Sequence, residues 1–530
     1  MLSAKETIQQ GKACLGIEFG STRIKAVLID ENHTPIASGS YQWENHLENG
    51  IWTYSMKEIT DGLQGCYLNL CKQVEQDFQL SITSLAAIGF SAMMHGYLAF
   101  DDEGQLLTPF RTWRNNNTSE AAEALTKLFD YNIPERWSIA HLYQAIRNKE
   151  KHVNRLSFLT TLAGFIHWKL TGQKVIGIGD ASGMFPIDTA TGNYDSEKMM
   201  QFEKLISECN YPWTLSKILP KVLCAGEHAG VLTEEGARLL DVNGRLQAGI
   251  PVCPPEGDAG TGMTATNSVG IRTGNVSAGT SVFGMVVLEK PLQKMHPEID
   301  LVTTPDGNLT AMVHANNCTS DINAWAGILQ EFAEALGSNP DSSTLYSTIF
   351  HAAQRGEKDC GGLLSYGYLS GENITGISEG RPLFIRRPDS RFTFANFART
   401  LIYTAFGALK IGMDILSQEE HAAIDTIYGH GGLFTTKGVA QQILADAVNA
   451  PVAVMQTAGE GGPWGMAILA SYMINKKSDE SLEAYLNRYV FNDSKGETLQ
   501  PDSEGVKGFE AFSRRYRQGI AVEKSASGIE

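Results

Sequence analysis

Apolar residues near the start of the chain fall into two runs parted by a short break of small residues. Residues 14–30, CLGIEFGSTRIKAVLID, therefore predict a strand, a turn at Gly20, Ser21 and Thr22, and a second strand, the pattern of a β-hairpin. Residues 33–40 predict a third strand. A comparable unit recurs at residues 274–287, GNVSAGTSVFGMVV, with its turn at Gly279, Thr280 and Ser281, and two such hairpins suggest two domains built on one plan. Between them, helical patterns at 56–78 and 154–171 alternate with short apolar strands at 85–90 and 249–253, as in α/β domains with a mixed sheet. Gly172 reads as the carboxyl-terminal cap of the second of those helices. Further on, 394–417 predicts a long amphipathic helix and 423–428 a strand running into a glycine-rich turn. Then 438–449 predicts a helix, 451–455 a strand and 465–474 another helix. From 476 onward the chain is more charged and less regular, which predicts a peripheral helical tail with its last ten residues frayed.

The chain has 530 residues, enough for about three folding units or for two large ones with insertions. With 42% hydrophobic and 19% charged residues it can bury several cores. The 43 basic and 59 acidic residues leave a formal charge of −16, and no basic block offsets it, so a surface that tracks nucleic-acid phosphates is excluded. Eight scattered cysteines contain no CxxC pair, so neither a zinc framework nor a disulfide scaffold is expected and the thiols read as reduced. The opening MLSAKETIQQGK has no apolar core of a secretory signal, and residues 84–100 fall short of the ~20 apolar residues that span a bilayer. The expectation is a cytoplasmic protein without a membrane partner.

Four places could carry chemistry. At the first hairpin, Glu18 precedes Gly20, Ser21 and Thr22, and Lys25 follows one strand position on. Small turn residues let backbone N–H groups approach phosphate oxygens, and a nearby carboxylate can hold Mg²⁺ through water. The second place is PPEGDAGTG, where an apolar strand ends at Asp258, a carboxylate placed where α/β sheets keep their catalytic groups. The third is the turn of the second hairpin, and the fourth is Gly429-His430-Gly431-Gly432, whose bare backbone would let a flat adenine or ribose lie close. Taken singly, each is equally an ordinary turn or cap. Arg386 and Arg387 read as a solvated loop, and Glu460-Gly461-Gly462 as a turn before the last helix.

The order of the four decides more than any one of them. In that order the chain resembles the FGGY family of carbohydrate kinases, in the superfamily of actin-like, hexokinase-like and Hsp70-like ATPases. The resemblance runs from about residue 14 to 471 and includes SAMMHGYLAFDDEGQLLTPFRTW at 91–113, similar to the sugar-binding loop and following tryptophan of xylulokinase-type members. Residues 219–258 are similar to the segment leading into the family's catalytic aspartate, and GHGGLFTTKGVAQQILAD at 429–446 resembles its adenosine-binding segment. The resemblance implies two RNase H-like α/β domains around a central cleft: a sugar-binding domain at 12–267, a nucleotide-binding domain at 268–475 and a peripheral tail at 476–530. It also implies ATP and Mg²⁺ as cofactors and allows a homodimer.

Carried over position by position, Asp258 matches the catalytic base, and Met94 and His95 match the pair that touches the sugar. Trp113 matches the tryptophan that follows the sugar loop. Gly20, Ser21, Thr22, Lys25, Gly279, Thr280 and Ser281 match the phosphate-facing hairpins, and Gly431 and Gly432 the adenosine site. Glu18 and Asp258 would hold Mg²⁺ through water. Two positions depart from the pattern. Glu18 stands where the family usually has Asp, one methylene shorter, and Asn115 stands where many members carry a sugar-binding Asp, keeping hydrogen-bonding capacity and losing charge. The implied reaction is transfer of the γ-phosphoryl of Mg-ATP to a hydroxyl of a small ketose, with D-xylulose the first choice. Ribulose, another ketose, a polyol or a sugar acid stays open, as does a nucleotide-gated regulatory protein on the same fold. A dehydrogenase does not fit, because no GxGxxG lies between a strand and a helix with an acid about 20 positions on.

Overall fold

A computed structural model describes residues 2–455, 461–492 and 496–529. The chain forms two compact units: residues 1–269, 300–310 and 460–493 make unit 1, and residues 270–299, 311–459 and 494–530 make unit 2. The fold is the α/β, two-domain architecture of the actin-like and hexokinase-like ATPases.

In unit 1 the strands Cys14–Phe19, Arg23–Ile29 and Pro35–Gln42 form an antiparallel meander, as the apolar runs predict. Ala87–Ala92 pairs parallel to the first strand, and Glu256–Gly257 pairs parallel to Ala87–Ala92. Two helices pack on this sheet. Met56–Phe78 begins with a capping box, in which Ser55 and Glu58 satisfy each other's backbone N–H, and it packs against the third strand. Gly461–Asn475 is apolar around its whole circumference, so it must be covered on every side. It packs against the first strand, and a methyl at Gly16 would stand 2.1 Å from the Pro463 carbonyl.

That helix packs on the other side of the expected division of the chain. The sequence places 461–475 in the second domain, but by packing this helix belongs to unit 1. The predicted 154–171 helix is also shorter: Leu162–Thr171 is helical, with Thr161 capping its start and Gly172 its end, while Phe158–Thr160 is a strand paired with Leu98–Phe100.

Unit 2 repeats the plan. Thr273–Ala278 and Val282–Val287 form the antiparallel hairpin, Leu309–Ala315 lies beside the latter, and Thr426–His430 and Val452–Val454 add parallel strands beyond the former. The predicted 394–417 helix is two helices, Phe394–Ala405 and Gly407–Asp414, and both are buried rather than amphipathic. The tail is helical as expected, but it is not peripheral and its helix runs into the last ten residues. Ser503–Ala526 is a continuous helix whose Phe509, Phe512 and Tyr516 are buried, with Phe509 stacked 4.3 Å from Tyr403, and Glu523 near its end accepts the Arg381 N–H at 2.6 Å. Aromatic residues at helical spacing among the charges anchor it in the core. Glu460 lies outside the described residues, and Gly461 opens the helix that follows. Among the described residues no helix is long and apolar enough to cross a membrane.

Candidate active site

Three parallel strands of unit 1 end together. In their register Glu18 and Glu256 both lie opposite Ser91, on either side of it, so the strand ends bring Glu18, Met94 and Asp258 into one neighbourhood. The carboxyl end of a parallel sheet is where backbone N–H groups and helix starts converge, and Asp258 opens the helix Asp258–Ala265.

Asp258 Oδ1 accepts the backbone N–H of Met94 at 3.1 Å and that of Ala259 at 3.0 Å. The residue opens to solvent, yet the protein packed around its carboxyl desolvates the charged form and pushes its pKa above the ordinary aspartate range. Glu18 is half-buried, and its Oε2 accepts the hydroxyls of Thr261 at 3.1 Å and Ser91 at 3.4 Å. Burial first, and then the like charge of Asp258, push its pKa up to about 7, while Lys25 across the hairpin pulls it down. Lys25 itself is exposed and lines an open recess with Thr22, Arg23 and Trp43.

Met94 and His95 are buried. His95 holds a left-handed backbone, φ 70°, its Nδ1 lies 3.2 Å from the Gly183 carbonyl oxygen, and its ring stacks on Trp137 at 6.4 Å. Strain of this kind in a non-glycine residue persists where the surroundings over-determine the conformation, commonly at ligand sites. Trp113 is half-exposed and donates from Nε1 to Ser21 Oγ at 3.2 Å, tying the tryptophan to the first hairpin turn. Gly20 is held too, its carbonyl accepting Trp43 Nε1 at 2.7 Å.

Asn115 is buried. Its amide group is spent inside the protein: Oδ1 accepts the Trp52 N–H, and Nδ2 donates to the carbonyls of Trp52 and Thr112, all at 2.9 Å. A carboxylate could not make the two donations.

Two buried carboxyls went unnoticed in the sequence. Glu256 accepts N–H bonds from Gly179, Asp180 and Gly257 at 3.1–3.2 Å, and burial followed by the charge of Asp180 pushes its pKa up to about 8. Asp180 accepts the Thr161 hydroxyl at 2.6 Å, its Oδ1 has no hydrogen-bond partner, and burial pushes it up to about 7. Glu256 had a signal, since it stands two residues before Asp258 in the same PPEGD run, whereas nothing linear joins GDAS at 179–182 to this sheet.

In unit 2, the turn Gly279, Thr280 and Ser281 closes with a Gly279 N–H to Ser281 carbonyl bond of 2.9 Å. Ser277 lies opposite His430 in the parallel register, so this turn and the Gly429–Gly432 segment sit side by side. Gly431 has φ 101°, and a methyl on it would meet the Ala278 carbonyl oxygen at 2.4 Å, so no other residue fits. Gly432 lines a concavity of about 750 Å³ with Ile322, Tyr346, Phe350, Leu433 and Lys437. Its apolar walls with a few polar groups suit a flat heterocycle. Arg387 is an exposed loop residue paired with Asp389.

The family model of the FGGY carbohydrate kinases, N-terminal domain, matches residues 13–264, and that of the C-terminal domain matches residues 274–474. The chain belongs to the FGGY family of carbohydrate kinases. As a member it is a phosphotransferase whose acceptor is a sugar hydroxyl. A relative, the xylulose kinase of Haemophilus influenzae, is 21% identical over 95% of this chain and 98% of its own length. The glycerol kinase of Thermococcus kodakarensis is 24% identical over 53% of this chain and 54% of its own. Among solved structures, the ligand-bound xylulose kinase of Lactobacillus acidophilus superimposes with a TM-score of 0.77 at 17% identity, covering 98% of this chain and 99% of that one, a likeness of fold.

Proposed function

We propose that this kinase transfers the γ-phosphoryl group of ATP to a terminal hydroxyl of a small ketose, D-xylulose being the first candidate, with Asp258 as general base. The observation that carries this reading is the pair of backbone N–H bonds on Asp258 Oδ1, which orient the carboxylate while its side chain stays open. One of those donors is Met94, so the loop that would hold the sugar also aims the base at it. A carboxylate raised above its ordinary range is a better proton acceptor near neutral pH, and it would take the proton of the attacking hydroxyl as that oxygen closes on the γ-phosphorus.

The oxygens at the strand ends suit Mg²⁺: Glu18 and Asp258 are hard donors with like charge, and both hold protons more tightly than usual, as groups awaiting a cation do. Among the described residues no cluster of three or more ligating side chains occurs, so two carboxylates with water and phosphate oxygens would complete the shell. Bound there with the triphosphate, Mg²⁺ would offset the charge of the transferring group. Backbone N–H groups and hydroxyls at Gly20, Ser21, Thr22, Gly279, Thr280 and Ser281, with Lys25, would bind phosphate oxygens, and Gly431 and Gly432 would receive the adenosine. Xylulose is supported by Met94-His95-Gly96 and by the names of the relatives. A different sugar, whether ribulose, another ketose, a polyol or a sugar acid, is favoured by one observation, the consumption of Asn115 within the protein, which leaves that sugar-facing position without a carboxylate. A cytoplasmic setting fits this reading.

The test is ADP release with Mg-ATP across ketopentoses, other ketoses, polyols and sugar acids, against a no-sugar blank and D258N. Sugar-dependent release by the wild type alone supports the kinase and names its sugar. Release indifferent to every sugar, or none despite ATP binding, would favour the regulatory reading on the same fold.

A further inference from the structure

Glu372 is fully buried in unit 2, in the loop that follows the strand Leu364–Tyr366. One of its oxygens, Oε2, accepts three N–H groups: the backbones of Asn316 and Asn317 at 2.9 and 3.3 Å, and Asn317 Nδ2 at 3.2 Å. The neighbouring backbone grips the same two asparagines, with Asn316 Nδ2 donating to the Gly371 carbonyl at 2.8 Å and the Ser370 N–H donating to Asn317 Oδ1 at 3.1 Å. The next two residues reach the second hairpin. The Cys318 N–H donates to the Thr280 carbonyl at 2.9 Å, and Thr319 donates to the Gly279 carbonyl from its N–H at 3.2 Å and its hydroxyl at 2.8 Å. Residues 316–319 thus form a strap, anchored at one end on a buried carboxylate and at the other on an exposed turn that is closed by the bond from Gly279 to Ser281.

Its other oxygen, Oε1, is buried without a hydrogen-bond partner and burial pushes the group's pKa up to about 7, so the three N–H bonds on Oε2 are what hold this carboxyl in place. A group bearing three such bonds fixes the backbone that donates them, and that backbone carries the turn. We propose that Glu372 is a positioning residue that holds the Gly279-Thr280-Ser281 turn in the conformation that receives the terminal phosphate of the nucleotide. The inference rests on the kinase reading above and assigns a role to a side chain that need not touch the nucleotide.

The experiment compares wild type, E372A and E372Q in three measurements: direct titration with ATP and with ADP, sugar-dependent turnover, and KM for the sugar. In E372A, turnover should fall roughly 10- to 100-fold, the loss expected when a reacting group shifts by about an ångström. ATP binding should weaken while ADP affinity and the sugar KM stay within about twofold of wild type. E372Q should recover most of the turnover, since an amide carbonyl in the place of Oε2 can accept the same three N–H groups. If E372A does not fold, N317A, which removes the side-chain half of the strap, must show the same selective loss. Equal weakening of ATP and ADP, unchanged turnover, or no rescue by E372Q would overturn the proposal. Failure of the wild type itself to release ADP with any sugar would instead overturn the kinase reading on which it rests.

Discussion

In unit 1 the first hairpin strand ends in Glu18 and Phe19, facing Lys25 and Ile24, whereas the register of unit 2 puts Ser277 and Ala278 at the same places, facing Phe283 and Val282. Both strands have a parallel neighbour on the side away from the hairpin, and both neighbours lead into a loop with left-handed backbone, at His95 and Gly96 in one and at Gly431 in the other. The frameworks agree and the strand ends do not. Unit 1 gathers Glu18, Asp258, Asp180 and Glu256; desolvation raises the pKa of all four, and the charge of a neighbouring carboxylate adds to it at Glu18, Asp180 and Glu256. Unit 2 presents small neutral residues and bare backbone, the makings of a surface that a nucleotide can approach. Duplicated scaffolds carry different chemistry because the side chains at strand ends are free to vary while those that hold the sheet together are not.

The largest break in this comparison is D258N. It should lower sugar-dependent turnover by roughly 10²- to 10⁴-fold, the span of a general base, and leave ATP affinity in place, as single-turnover assays and nucleotide titration would read. Equal loss of ATP binding would mean that the acid end of unit 1 is not separate from nucleotide recognition.

On the unit 2 side, G431A and G432A form a pair. The first drives a methyl into the Ala278 carbonyl at a left-handed position, whereas the second meets open space. G431A should cost about 1–3 kcal/mol in chemical denaturation and abolish tight ATP binding, while G432A stays near wild type in stability. Equal behaviour of the two would show that the turn adapts.

N115D sharpens the account of unit 1. An aspartate loses both donations to the Trp52 and Thr112 carbonyls, so stability should drop by about 1–3 kcal/mol in urea titration. Stability equal to wild type with altered sugar preference would instead assign this position to the sugar site.

The smallest effect is in pH dependence. Folded Asp180 and Glu18 keep their protons up to about 7, and Glu256 up to about 8, while the unfolded chain releases its carboxyl protons near the ordinary 3.8 and 4.5. Across that window the native state binds more protons than the unfolded one, so these groups favour the fold at the acid end and that contribution is lost as pH rises to about 8. D180N, which keeps an acceptor for Thr161 and removes one titrating carboxyl, should flatten the fall in thermal midpoint over this range. An unchanged slope in D180N would remove Asp180 from the set.

Much of this was legible in linear order. Both hairpins, the 56–78 helix and the mixed sheet follow from apolar periodicity and turn residues, and Asp258 stands out because an apolar run ends at Gly-Asp. What misled was context. The 394–417 segment looks amphipathic but is buried from Asn396 to Leu416, and the charged tail hides Phe509, Phe512 and Tyr516 at a helical spacing that buries them. Asn115 reads from the sequence as a hydrogen-bonding side chain, and only the structure shows that its amide bonds to Trp52 and Thr112.

By itself the sequence determined the family, the two-fold plan and the order of the chemical motifs, since local periodicity, turn chemistry and motif order are properties of neighbours along the chain. Tertiary structure alone decided which unit the last apolar helix joins. It also decided that Asp180 comes close to Glu256 and Asp258 and that Glu372 reaches the second hairpin through residues 316–319. These are contacts between segments tens of residues apart or more, created by parallel strand pairing and by buried acceptors that must find donors, and no local pattern encodes which donors those will be.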